Sequence, residues 1–259
     1  MNDKYLSYDL MGYKLTPLTI EDIIHIASNS VLKGLKTVVA SQNLHAMYVY
    51  HHNEKFRLLH NLSTTYIHID GMPLVALSKL FGLPIRRTHR TAVIDWIFPI
   101  LELASKNEWR VFYLGSTSVV FDKGLEKIKE ILPDLQISGH HGYFDMGNES
   151  LEAKSIMHLV NSYKPSILLL GMGMGRQESW IYDNNKELNV NFIATIGGCM
   201  DLISGEIPLA PRWLGKLGIE WLFLLIKNPK RGFRRYLIEP WLLAILLFNK
   251  WTSNYFSVK

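Results

Sequence analysis

The sequence predicts an α/β fold, a Rossmann-like, mostly parallel sheet with helices on both faces, followed by a basic amphipathic helical C-terminal appendage. Three observations lead there. Short apolar runs rich in Val, Ile and Leu alternate with segments of helical periodicity, as strands do when both their faces are buried. Those runs end in small or polar residues, and in an open α/β sheet the carboxyl ends of the strands form the ligand crevice. Residues 212–259 break the pattern by mixing aromatic, aliphatic and basic side chains.

Each element has its own warrant. LTIEDIIHIASNSVLKG opens with Thr19-Ile20-Glu21-Asp22 and carries apolar residues at helical spacing. TVVASQN is a β-branched strand with a polar end, and IHIDGMPL is a strand running into a turn. AVIDWIFPILELASKNE reads as a helix, WRVFYLGS as a strand closing at Gly115-Ser116, and VVFDKGLEKIKEILPDL as an amphipathic helix stopped near Pro133. SILLLGMGM and NFIATIGG are apolar runs that end in glycines. The strand ends SQN, DGMP, YLGS, GMGMGRQE and GG together predict one composite site. No internal repeat or Pro/Gly-rich linker interrupts the chain. The expected division is an α/β core over 1–211 and a membrane-associating appendage over 212–259.

Charge supports that division. The chain carries a formal +5. Nine basic residues against Glu220 and Glu239 make the appendage +7, which leaves the core at −2. With 48% hydrophobic and 20% charged residues, the composition excludes wholesale disorder. The single cysteine, Cys199, excludes a disulfide framework and a cysteine-rich metal site. The start MNDKYLSYDLMGYKL lacks the pattern of a secretory signal, and no apolar run approaches the roughly 18 residues of a membrane span. The expectation is a cytoplasmic protein, peripheral on the inner face of the membrane. Basic residues among Trp, Tyr and aliphatics suit an in-plane membrane segment. A helix pair closing the core fits the tail equally well, and self-association as a homo-oligomer is left open. The apolar runs are too continuous for a phosphate groove, so no nucleic-acid partner is expected.

Asp70 stands where an apolar strand meets Gly-Met-Pro, a suitable place for a general base, although spacing alone favours an N-cap for MPLVALSKLF. Ser41 and Asn43 offer hydroxyl and amide groups that fix sugar hydroxyls, and they serve equally well as a strand end feeding a helix cap. Arg176, Gln177 and Glu178 follow GMGMG, which lacks both the P-loop lysine and the dinucleotide spacing. No H-x-x-x-H pattern marks a metal, and His51-His52 and His140-His141 read as loop or surface pairs. No serine sits in G-x-S-x-G, so hydrolase chemistry is disfavoured.

Taken in order, SQN, DGMPLV, RTAVIDW, YLGS, GYF, LLLGMGMGRQESWI, GGCMDLISGEIPLAPRW and LGIEWLFLLIKNPKRGFRRYL resemble the WecG/TagA/CpsF glycosyltransferases, glycosyltransferase family 26. The resemblance runs from about Leu15 to Leu237. It implies an inverting, metal-independent enzyme of bacterial surface polysaccharide synthesis with no cofactor. Its donor would be a nucleotide-sugar and its acceptor a polyprenyl-diphosphate-linked saccharide. It also implies Asp70 as base. Ser41, Asn43, Arg90, Gly115 and Gln177 would be substrate-binding residues, with Arg212, Arg231, Arg234 and Arg235 supplied by the tail. Ser41 replaces a usual Thr, Val93 a Gly, Gly175 a Pro, and Cys199-Met200 a Thr-Phe pair. DGMPLV and RTAVIDW look closer to the exopolysaccharide glucosyltransferases, so UDP-glucose is the expected donor. The alternative is a non-catalytic membrane-associated scaffold of a polysaccharide assembly complex.

Overall fold

The computed structural model describes residues 5–257 apart from Asn148 and Asn228, without the side chains of 212, 216, 217, 230, 231 and 250–257. Arg212 and Arg231 therefore lie outside the described side chains.

The chain begins with a hairpin that no periodicity signalled: β1 (Tyr8–Leu10) and β2 (Tyr13–Leu15). Its turn puts Met11 at φ 56° and Gly12 at φ 83°. Two left-handed residues in a two-residue loop match the right-handed twist of the strands. Next, α1 (Ile20–Leu32) carries the expected capping box, since Thr19 Oγ1 accepts from the Asp22 N–H and Asp22 Oδ2 from the Thr19 N–H.

The central sheet contains β3 (Thr37–Gln42), β4 (Thr65–Ile69), β5 (Val111–Gly115), β6 (Ile137–His140), β7 (Ile167–Gly171) and β8 (Phe192–Thr195). Their order is β4-β3-β8-β7-β5-β6, and every pairing is parallel. Helices α2 (Leu44–His52) and α3 (Glu54–Asn61) connect β3 to β4; α4 (Met72–Leu80) and α5 (Val93–Lys106) connect β4 to β5. The remaining crossovers run through α6 (Ser118–Ile131), α7 (Leu151–Tyr163) and α8 (Arg176–Asn184), and α9 (Cys199–Ile203) follows β8. His51-His52 ends a helix, with His52 exposed, whereas His140 closes a strand and His141 begins the loop after it.

Alternation along the strands divides the core. Val111 and Tyr113 face α1, α5 and α6, where Trp96 and Ile100 are buried. Phe112 and Leu114 face the opposite layer, with Trp180 of α8 and Val160 of α7. This is the doubly wound architecture expected from the sequence. Neighbouring strands β5 and β7 send their connections in opposite directions, to β6 and β8. Such a divergence opens a crevice at the carboxyl ends.

The tail forms α10 (Arg212–Leu217), α11 (Glu220–Lys227) and α12 (Pro229–Phe233), then passes through a π turn at Arg234–Ile238 into α13 (Glu239–Ser257). Pro240 accounts for the widening. It has no N–H for the Tyr236 carbonyl and its ring would clash there. The Glu239 N–H instead reaches back to the Arg234 carbonyl. One face of α13 lies on α2, burying Leu243 and Leu247 with Met47, Tyr50 and Leu10. The opposite face leaves Trp241, Ile245 and Phe248 largely exposed. The inner face thus closes the core, one of the two expectations for the tail, and the outer face carries an exposed apolar stripe. Among the described residues, no helix is long and apolar enough to cross a membrane.

Truncating the inner face should therefore be far costlier than truncating the outer one. Leu243→Ala is expected to lose about 2 to 4 kcal/mol in denaturant unfolding, and Trp241→Ala no more than about 0.5 kcal/mol.

Candidate functional site

The carboxyl ends of β3, β4, β7 and β8 and the tail enclose a cleft of about 370 Å³. Ser41, Asn43, Asp70, Arg90, Gln177 and Arg235 all line it. The expected base and five residues expected to bind substrate therefore share one space.

Asp70 continues the β3–β4 ladder, its N–H donating to the Gln42 carbonyl at 2.8 Å. The N-cap of α4 is Gly71, not Asp70, and Pro73 occupies the first turn. The carboxylate is thereby spared from capping α4 and instead takes the Val93 N–H at the start of α5. Gly71 also permits the close approach expected of it, because a Cβ there would lie 3.1 Å from Asn43 Cβ. Burial pushes the Asp70 carboxyl up to about 6, and Glu220 adds to the rise; Arg90, Arg235 and the Val93 N–H pull the other way. A carboxylate poised just below neutrality is suited to accept a proton.

Arg90 reaches Asp70 because residues 90 and 91 extend the sheet edge. Ile69 bridges Arg90, and the Thr91 N–H donates to the Ile69 carbonyl at 2.8 Å. Arg90 Nε donates to the Asp70 carbonyl oxygen at 3.1 Å, while Nη2 holds Glu220 of α11. Arg235 lines the cleft beside Asp70, its guanidinium over the Tyr236 ring at 5.4 Å. Arg234 is exposed, with its Nε 3.5 Å from Glu239 Oε1, and does not line the cleft.

Asn43 takes the helix-cap role that the sequence allowed. Its Oδ1 caps α2 by accepting the His45 N–H at 3.1 Å, and the residue lines the cleft. Ser41 is pinned through its N–H to Thr195 Oγ1 at 2.9 Å. Gln177 is 1% exposed, and its Nε2 donates to Glu178 Oε1 at 2.9 Å. Its Oε1 has no hydrogen-bond partner among the described residues, so the amide oxygen is an unmet acceptor. Glu178 also takes the Gly175 N–H, and burial raises its carboxyl to about 7. Gly175 has φ +86°, which proline cannot adopt, so the glycine here reshapes the turn.

A second lobe of about 340 Å³ adjoins the first and shares Gly173, Gly197, Gly198 and Asp201 with it. Ser116 and the largely exposed Tyr143 form its far side. Gly115 lines neither lobe; it lets β5 and β7 converge, since a Cβ there would lie 2.5 Å from the Gly171 backbone. Sequence reasoning missed His45, Tyr143, Asp201, Glu220 and Tyr236. His45 lay in none of the ordered motifs, whereas Tyr143, Asp201, Glu220 and Tyr236 lay within them without being singled out. Burial drives the Cys199 thiol far above its usual range and the His68 ring down to about 3, so neither competes as a nucleophile or charged acid. Among the described residues, no three His, Cys, Asp or Glu side chains are grouped to hold a metal ion.

The family model for the glycosyl transferase WecG/TagA/CpsF family matches residues 8–256. The chain belongs to that family. It is a glycosyltransferase, and the resemblance drawn from the ordered motifs holds. Similar proteins include the N-acetylglucosaminyldiphosphoundecaprenol N-acetyl-beta-D-mannosaminyltransferases of Staphylococcus aureus strains MW2 and NCTC 8325. Each is 27% identical over 227 residues, covering 86% of this chain and 85% of the relative. Membership gives the polar cleft a reaction class, glycosyl transfer, and Asp70 is a cleft carboxylate lifted toward neutrality.

Transfer by this glycosyltransferase is expected to hold above about pH 6 and to fall roughly tenfold per unit below it, as Asp70 protonates. Asp70→Asn should cut kcat by about 100-fold or more. The same change should raise Tm, because the fold disfavours the charged carboxyl that it removes.

Proposed function

We propose that this glycosyltransferase moves a sugar from a nucleotide-sugar, of the UDP type, to a polyprenyl-diphosphate-linked saccharide, with inversion and without a metal. The observation that carries the reading is a carboxylate raised toward neutrality in a cleft whose cations, Arg90 and Arg235, come from the core and the tail. The relatives are named for an acceptor in which a sugar is linked through diphosphate to undecaprenol. A tail with an exposed apolar stripe suits an enzyme that meets a lipid-linked acceptor.

Asp70 takes the proton from the acceptor hydroxyl as that oxygen bonds to the anomeric carbon. The carbon–oxygen bond to the nucleotide diphosphate breaks on the opposite face, and the diphosphate leaves with the electron pair. Its charge passes to Arg90, Arg235 and the backbone N–H groups of the glycine-rich strand ends. The second lobe suits the nucleotide, with the Tyr143 ring to stack on the base and Asp201 to accept from it. Gln177, Asn43 and Ser41 hold sugar hydroxyls. Ordinary carboxylate–guanidinium pairing sets Glu220 on Arg90, so a diphosphate must displace it. The scaffold alternative leaves the unpartnered Gln177 Oε1 and the raised Asp70 without purpose.

The expected UDP-glucose donor stands beside relatives named for N-acetylmannosaminyl transfer. Transfer assays with a panel of UDP-sugars and a lipid-diphosphate saccharide decide between them, and no transfer from any donor would sink the proposal. Glu220→Gln is expected to tighten UDP binding by about 3- to 10-fold in calorimetry, since it removes a competing charge. Trp213, Ile226, Trp241, Ile245 and Phe248 are exposed beside Lys227 and Arg234, a composition for lying in a membrane interface. Replacing Trp241, Ile245 and Phe248 by Ala should abolish sedimentation with anionic vesicles without unfolding the chain.

A further inference from the structure

Glu239 is the most deeply buried acid of the tail, 5% exposed. Its Oε2 meets Nδ1 of His45, a residue 194 positions earlier in the sequence. The π turn places Arg235 and Glu239 one helical step apart on the face toward the core. His45 lies in the first turn of α2, its backbone held by Asn43 Oδ1 and its ring lining the Asp70 cleft. Both partners are thus fixed, one by a cap and the other by a buried helix face.

An ionised carboxylate only accepts, so the imidazole donates through Nδ1–H. In the neutral ring Nε2 is then a bare acceptor, and it has no hydrogen-bond partner among the described residues. The charged groups facing the ring are Glu239, Arg234 and Arg235. Burial is the main influence that lowers its pKa, with Arg235 next, against the raising effect of Glu239. A contact that only anchored the tail would not call for this pair, because buried ion pairs are commonly replaced by apolar contacts at no loss. Leu243 and Leu247 already provide that anchor.

We propose that Glu239 and His45 form a dyad in which the tail carboxylate fixes the ring tautomer and His45 Nε2 accepts a hydrogen bond from a hydroxyl of the bound saccharide. Asp70 keeps the role of base, and His45 orients the sugar beside it. Glu239 is a positioning residue acting through His45. The inference rests on the glycosyl-transfer reading above and specifies how the tail serves it.

The test joins nitrogen-15 NMR of the histidine rings in the full chain to transfer kinetics. The wild type should show His45 as the Nδ1–H tautomer, and Glu239→Gln should shift it toward Nε2–H. His45→Asn keeps a donor for Glu239 where Nδ1 was but has nothing at the Nε2 position. It is expected to lower kcat/KM by roughly 3- to 10-fold, the worth of one neutral hydrogen bond. His45→Ala should lose a similar amount, and adding Glu239→Gln to it should cost nothing more. An Nε2–H tautomer in the wild type, or His45→Asn with wild-type kinetics, overturns the dyad. Should the wild type transfer no sugar, the functional reading fails, and the tautomer measurement still judges the pairing.

Discussion

The seam between α13 and α2 is the contact on which the site depends. Leu243 and Leu247 enter the apolar cluster at the β3–β4 edge, beside Met47 and Tyr50. That burial helps to hold a +7 segment against a cleft whose own arginine repels it. With it, Arg235, Glu239 and Glu220 are brought to strand ends more than a hundred residues away in sequence. The apolar effect supplies the affinity, and the charged pairs supply the register. Division of labour of that kind suits a polar site, since charges contribute little once their desolvation is counted.

Electrostatics in the cleft follow from the same placement. Asp70 and Glu220 are like charges in one pocket, tolerable because Arg90 touches both, through Nε to the Asp70 backbone and Nη2 to the Glu220 carboxylate. Burial outweighs the arginines at Asp70, which is why its carboxyl rises. A base of this kind is a compromise. More positive charge would hold it ionised and weakly basic, whereas deeper burial would leave it protonated at neutral pH.

Much of this was legible in the sequence. Continuous apolar runs located β3, β5, β7 and β8, and their polar ends located Ser41, Asn43, Asp70 and Gln177, because strand periodicity and strand termination are local properties. The β1–β2 hairpin was not legible, since its turn depends on Met11 adopting a left-handed conformation that few sequences advertise. Short β6 and helices α2, α3 and α7 also lacked strong local marks. Asp70 read as a cap until Gly71 proved to hold that place. His45, Glu220 and Glu239 were invisible as partners, because periodicity says nothing about which charges meet across long chain separations. Gly115 took its meaning from Gly171 beside it, a packing relation and not a ligand contact.

The π turn at Arg234–Ile238 sets a phase. A helix that takes on one extra residue in a turn rotates everything beyond it by about 100° relative to what precedes it. Arg234 and Arg235 lie within that insertion and the Trp241–Ile245–Phe248 stripe lies beyond it. The angle between the face that serves the cleft and the face turned outward is thus encoded by Pro240 and one helical irregularity. Regularising the helix, by replacing Pro240 or deleting one residue of the turn, would misdirect the face beyond it. The tail works as a gear with a fixed offset, coupling the orientation of the catalytic opening to that of whatever surface its apolar stripe meets.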